Sequence, residues 1–233
     1  MTQRKLLWLV IPLYLLALLS IGIYLCIEFH PRVLLSPIGR LVLMGIFCLF
    51  SYIAGRFLCK LPRVKTNCVI KLTFLAYFLC YLGLLLTFTL FDPMFGRPSY
   101  PFAFFMDYNM RSSYMENSFN IVPFRTIAEY VSAAFTGRVN LSVITTNLLG
   151  NVVALMPMAL FLPLFFRKCR KFLIFLIAVI LSVITIELLQ LILVSGACDI
   201  DDVILNTVGA CSVFFLMKIK PFRWLLDKLI PTA

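Results

Sequence analysis

The chain has 233 residues, of which 62% are hydrophobic and only 13% charged. Soluble domains carry roughly 25% charged residues, and water would not tolerate so large an apolar surface, so a soluble globular fold is excluded. The net charge of +11 would suit a polyanion-binding protein, but the basic residues lie in short blocks between apolar runs without interleaved aromatics, so no nucleic-acid partner is expected.

A membrane span needs about 20 apolar residues at about 1.5 Å rise each. Six stretches meet that need, in chain order Leu6–Ile27, Leu34–Leu58, Val69–Phe91, Ser142–Phe166, Phe172–Val194 and Val203–Ile219. Arg4 and Lys5 precede the first as in a signal peptide. The run nevertheless continues apolar to Phe29, broken only by Glu28, with no small-residue cleavage site behind it, so it reads as an uncleaved transmembrane helix. Arg40 and Arg56 stand near the ends of the second, where they can snorkel. The last is the shortest.

Lys and Arg positions set orientation. They are dense after the second span (Arg56, Lys60, Arg63, Lys65, Lys71), after the fourth (Arg167, Lys168, Arg170, Lys171) and in the tail (Lys218, Lys220, Arg223, Lys228). After the first span there is Arg32, with Arg40 just inside the second; between the fifth and sixth there are only Asp199, Asp201 and Asp202. The alternation predicts an all-α, polytopic helical membrane bundle of six transmembrane helices with N- and C-termini cytoplasmic. A five-span alternative would require the short last segment to re-enter. The organisation expected is a pair of transmembrane helices over 1–68, a membrane domain over 69–220 with an extracellular loop at 92–141, and a cytoplasmic tail at 221–233.

The long loop holds four dispersed arginines (Arg97, Arg111, Arg125, Arg138) and the aromatics Tyr100, Phe102, Phe104, Phe105, Tyr108 and Tyr114. Loops of such length are usually functional or disordered, and the aromatics favour contact with the bilayer surface. Ala128 to Phe135 is expected to be a short interfacial helix. The eight cysteines show no paired spacing and mostly fall in apolar runs, where Cys behaves as a small hydrophobe, so no disulfide framework is expected. One histidine, His30, excludes a His-rich metal site.

Polar residues inside spans are costly and therefore informative. The fourth span carries Asn147 and Asn151 four apart, the fifth Glu187 and Gln190 three apart, and the sixth opens with Asp199, Asp202 and Asn206. Counted from the outer surface, Asn151 lies about 13 Å deep, Glu187 about 10 Å and Asn206 about 6 Å. Three stripes at that depth are expected to meet in one pocket open to the exterior. Gly150 and Gly209 would let the helices approach, and Pro157 would kink the fourth span to widen the mouth. The plainer reading is that Asn, Gln and Glu only bind helices together, and that the aspartates form a solvated turn capping the last helix. Asp201 fits that plainer role best, and Arg125 is either a counter-ion for the carboxylates or an interfacial anchor.

These residues resemble the VanZ family of bacterial membrane proteins. The resemblance runs through Asn120-Ile121-Val122-Pro123-Phe124, Asn147-Leu148-Leu149-Gly150-Asn151-Val152 with Pro157, Glu187-Leu188-Leu189-Gln190, and the stretch from Asp199 to Gly209. It covers about the last 150 residues, leaves the first two helices unmatched, and departs mildly at Met158-Ala159, where Phe-Gly is common. The resemblance implies a multi-pass protein of the bacterial cell membrane, linked to low-level teicoplanin resistance in Gram-positive cell envelopes by no established reaction.

Two roles remain open. As a binding module, the outer-leaflet pocket of Arg125, Asn147, Asn151, Glu187, Gln190, Asp199, Asp202 and Asn206 would hold a cell-envelope lipid or a lipid-linked precursor. Arg125 would contact phosphate, and Asp199 with Asp202 an amine or a divalent cation. As an enzyme on such a lipid, Glu187 would be the catalytic general acid or base, with Asp199 and Asp202 as metal ligands. No nucleophile motif such as GxSxG is present. A transporter is disfavoured by the lack of an inverted repeat, and a scaffold would use the first two helices to dock its partner.

Overall fold

A computed structural model of the chain describes residues 3–30, 33–62, 64–92 and 108–229. Arg32, Arg63, Arg97 and the loop aromatics Tyr100, Phe102, Phe104 and Phe105 lie outside the described residues. Almost everything described is helical, and the chain forms two compact units, Met1–Leu84 and Leu85–Pro231.

The first unit is built on a hairpin of α1 (Gln3–Glu28) and α2 (Pro37–Leu58), joined by α3 (Thr66–Leu86). α2 starts where Ser36 accepts the N–H of Gly39 at 3.1 Å and Pro37 fills the first helical position, whose N–H would have no partner anyway. Beside the loop that closes the hairpin, Arg40 grips Glu28 with two hydrogen bonds, Nε to Oε2 at 2.8 Å and Nη2 to Oε1 at 3.0 Å. The sequence placed Arg40 near a helix end, free to snorkel; it is instead 4% exposed and neutralises the one acid of α1. Gly55 lets α2 pass close to Thr73 and Tyr14, and Ser51 meets the hydroxyl of Tyr77 at 3.0 Å.

α3 ends in a π-helical turn, Thr87–Phe91, which belongs to the second unit. There follow α4 (Tyr108–Asn117), β1 (Phe119–Asn120), α5 (Arg125–Thr136), α6 (Leu141–Ala154), α7 (Met158–Phe165), α8 (Phe172–Ile192), β2 (Cys198–Asp199), α9 (Ile200–Leu216) and α10 (Lys220–Leu229). Pro157 does more than kink the fourth span. Residues 155–157 form a turn that separates α6 from α7, because proline cannot donate the backbone bond that would carry the helix through.

α8 shows how the core is made. Phe175, Val179, Val183 and Glu187 recur every four residues on the buried face, while Leu173, Ile177, Leu181 and Leu188 lie exposed on other faces. Only hydrocarbon solvates such an exposed face without penalty. α9 runs antiparallel to α8, with Phe214 stacked on Phe175 at a centroid distance of 4.4 Å near one end and Asp199 beside Glu187 at the other. Against α6 the contact is closer still: a Cβ on Gly209 would lie 1.8 Å from the carbonyl oxygen of Val152. Gly150, expected to share that role, has open space where its Cβ would be, so the close approach rests on Gly209.

Among the described residues, five helical stretches are long and apolar enough to cross a membrane: Gln3–Glu28, Pro37–Leu58, Thr66–Phe91, Leu141–Phe165 and Phe172–Ile192. The expected sixth, α9, has 17 residues and opens with two aspartates, and it falls outside that set. The protein is thus a nearly all-α, multi-pass membrane protein.

Candidate functional site

The site lies where the middle of α6 meets the end of α8 and the beginning of α9. α8 closes with Val194 at φ 54°, a left-handed conformation that glycine usually supplies at this position and a β-branched residue resists. The N–H of Ser195 reaches back to the carbonyl of Gln190 at 2.8 Å, turning the chain sharply. Cys198 and Asp199 then pair in parallel with Phe119 and Asn120, so a segment some eighty residues earlier is laid along the turn. Tyr114 pins the same turn through its hydroxyl, which donates to the carbonyl of Gly196.

Asp199 is the hub of the cluster and is 8% exposed. Its Oδ1 caps α9 by accepting the N–H of Asp201 at 2.9 Å and also accepts Nδ2 of Asn120 at 3.0 Å. Its Oδ2 accepts the hydroxyl of Thr126 at 2.5 Å, and its N–H donates to Oε2 of Glu187 at 3.1 Å. Both carboxylate oxygens are thus held by protein donors. Asp199 does not offer the open oxygen pair that a Mg²⁺ or Ca²⁺ site shared with Asp202 would need. Among the described residues no group of three or more His, Cys, Asp or Glu side chains could hold a metal ion.

Asp201 was expected to be a solvated charge or the cap of its own helix. It is fully buried, and it caps a different helix. Its oxygens accept the N–H groups of Phe124 at 2.5 Å and Ile127 at 3.0 Å, which are unpaired donors at the start of α5. A carboxylate at that end also meets the positive pole of the helix dipole. Phe124 holds φ 65° there, a left-handed conformation uncommon without glycine, with Asp201 fixing its amide.

Asp202 points elsewhere. Its Oδ1 accepts the side-chain amide of Asn151, which ties α9 to α6. It is half-buried and lines a cavity of about 390 Å³ between α5, α6 and the start of α9. Of the eight residues expected in a pocket, Arg125, Asn147, Asp199 and Asp202 line this cavity. The other four do not. Glu187 is 4% exposed behind Asp199, Asn151 is turned onto Asp202, and Asn206 donates to the carbonyl of Asp202 within its own helix at 2.8 Å. Gln190 faces the π-helical turn, donating to the carbonyl of Thr89 at 3.0 Å, while its buried Oε1 has no hydrogen-bond partner among the described residues. Arg125 is exposed and its ion-pair partner is Glu129, four residues on, at 3.0 Å rather than an aspartate. Asn147 donates to Val143 one turn back.

The three polar stripes therefore meet at Glu187–Asp199 and Asn151–Asp202, and most of their atoms are used to hold the helix ends together. Residues 74–221, which contain every member of this cluster, match the family model described as VanZ/LLP1. The chain belongs to the VanZ/LLP1 family. No curated protein and no solved structure matches it. Within this VanZ/LLP1 domain Asn120 and Thr126 stand out as site residues that sequence reading did not single out. Asn120 was noted only for the resemblance. Its signal is the turn it makes with its own Oδ1 accepting the N–H of Val122 at 3.2 Å, a local role typical of Asn, but nothing local pairs it with Asp199.

Burial, then the carboxylates of Glu187, Asp199 and Asp202, push the Cys198 thiol above its ordinary value. Three carboxylates thus act with burial to disfavour the thiolate at this turn. Chemically the arrangement can accept hydrogen bonds at the cavity wall through Asp202 and present one guanidinium through Arg125.

Proposed function

We propose that this VanZ/LLP1 protein crosses a bacterial cell membrane six times, with both termini in the cytoplasm. On this reading the cavity at the start of α9 is an outer-leaflet pocket that binds a cell-envelope lipid headgroup or a lipoglycopeptide-related ligand, lowering susceptibility to teicoplanin. The helix pair over 1–68 precedes a membrane domain over 69–220 and a cytoplasmic tail over 221–233. A sixth crossing by α9 is supported by its course beside α8, by its length of about 26 Å, and by its buried Asp201 and Asn206, turned away from lipid.

The observation that carries the binding reading is the cavity wall, which includes both half-buried Asp202 and exposed Arg125. An amine would meet Asp202, and a phosphate would meet Arg125. The alternative, an enzyme using Glu187 with Asp199 and Asp202 on an envelope lipid, is weaker. Glu187 is not at the wall, and the oxygens of Asp199 are occupied by protein donors.

Teicoplanin susceptibility tests this in a sensitive Gram-positive host expressing wild type, Asp202→Asn or Glu187→Gln at matched membrane levels. Reduced susceptibility with wild type, lost with Asp202→Asn, is the expected result. A resistance phenotype that survives Asp202→Asn overturns the pocket. No phenotype with wild type removes the teicoplanin role.

A further inference from the structure

α5 divides lengthwise into three strips. Thr126, Ile127, Tyr130, Ala133 and Ala134 are half-buried against the rest of the unit, where α5 packs on α6 and α9. Arg125, Glu129, Ser132 and Thr136 form a polar strip at helical spacing. Ala128, Val131 and Phe135 form the third, and Phe124, just before the helix, is exposed as well. Phe124 is 61% exposed and Phe135 is 88% exposed, so among the described residues the apolar strip has no substantial cover.

The depth of this helix is fixed at both ends. Asp201 holds its start to the first turn of α9. Its end is joined to α6 by residues 137–140, a link that reaches at most about 17 Å even when fully extended. α6 opens the membrane-length stretch Leu141–Phe165, and its own exposed residues Leu141, Val143 and Leu149 present an apolar surface of the same kind. The apolar strip of α5 therefore lies within a short link of a helical stretch long and apolar enough to cross a membrane.

We propose that α5, which contains the interfacial segment expected over Ala128–Phe135, lies at the membrane interface with its three strips assigned as follows. Phe124, Val131 and Phe135 lie among the acyl chains, while Arg125, Glu129, Ser132 and Thr136 lie at headgroup level. The occupant of the strip is lipid, not a second copy of the chain. Because α5 also walls the cavity, the cavity opens among lipid headgroups rather than to bulk water. This inference concerns the placement of α5 and stands whether or not the cavity binds a ligand.

The test uses the full chain in lipid nanodiscs, in a Trp8→Phe, Trp224→Phe background, with one reporter added as Phe135→Trp, Val131→Trp or Ser132→Trp. The expected result is blue-shifted emission at positions 131 and 135 that is largely lost when the lipids carry brominated acyl chains. The reporter at position 132 should keep its emission with those lipids and be quenched by aqueous iodide. Iodide quenching at 131 and 135 without lipid quenching would put the strip in water and overturn the proposal. Silence toward both quenchers at 131 and 135 would mean protein covers the strip, and equal lipid quenching at all three positions would mean that the helix is sunk in the core. Either of these also overturns it.

Discussion

Asp201 and Phe124 are 77 residues apart in sequence, yet a carboxylate oxygen of one accepts the backbone N–H of the other at 2.5 Å. With the bond to Ile127, this makes Asp201 the cap of α5 supplied from the first turn of α9. One residue thus couples the loop segment to the membrane helices, and it does so from a fully buried position.

Removing that acceptor leaves the N–H groups of Phe124 and half-buried Ile127 without this partner. Asp201→Ala is expected to destabilise the second unit by about 1–3 kcal/mol. Asp201→Asn, which keeps one acceptor oxygen, should lose less. Hydrogen exchange in detergent micelles reads the effect directly: the amides of Phe124 and Ile127 should lose protection while the α8–α9 core keeps its own. Unchanged exchange at those two amides in Asp201→Ala would refute the capping role.

Gly209 and Gly150 make an internal control for helix packing. An alanine Cβ at 209 would lie 1.8 Å from the Val152 carbonyl oxygen, so backbone must move, whereas a Cβ at 150 meets nothing within 4 Å. Overpacking of this kind typically costs about 1–3 kcal/mol. Gly209→Ala is therefore expected to lower the thermal midpoint of the purified protein clearly, and Gly150→Ala to leave it near wild type or raise it slightly through better helix propensity. Equal effects from the two would contradict the close α6–α9 approach.

Cys198 reports the potential of the turn. Its thiol is pushed upward by burial and by the carboxylates of Glu187, Asp199 and Asp202, so below that raised value little thiolate is present and alkylation is slow. In a chain whose other cysteines are replaced, the rate-against-pH curve for Cys198 should lie above that of the unfolded chain. Asp202→Asn removes one negative charge, favours the thiolate and should move the curve down in pH. A curve that stays in place or moves up would show that Asp202 does not bear on this turn.

Much of the architecture was legible in sequence because its causes are local. Apolar runs the length of a bilayer and a proline at 157 each act through neighbouring residues. The polar stripes were legible too, since a costly Glu187 or Asn151 inside an apolar run announces itself. How those stripes are used was not. Gln190 lies three residues from Glu187, on the same side of α8, yet it bonds Thr89 in the π-helical turn, while Glu187 accepts from Asp199. Likewise Gly150 and Gly209 look equivalent in sequence, and only one lies at a helix contact.

The sequence alone determined that this chain lives in a membrane, since its composition leaves no other solvent for its surface. It also located the ends of the helices where acids and amides collect. Tertiary structure decided which carboxylate faces a cavity, which is consumed as a cap, and which helix is capped. Those choices depend on donors brought in from segments 51 to 79 residues away, and the hydrogen-bonding needs of a buried carboxylate do not say which distant donor will meet them.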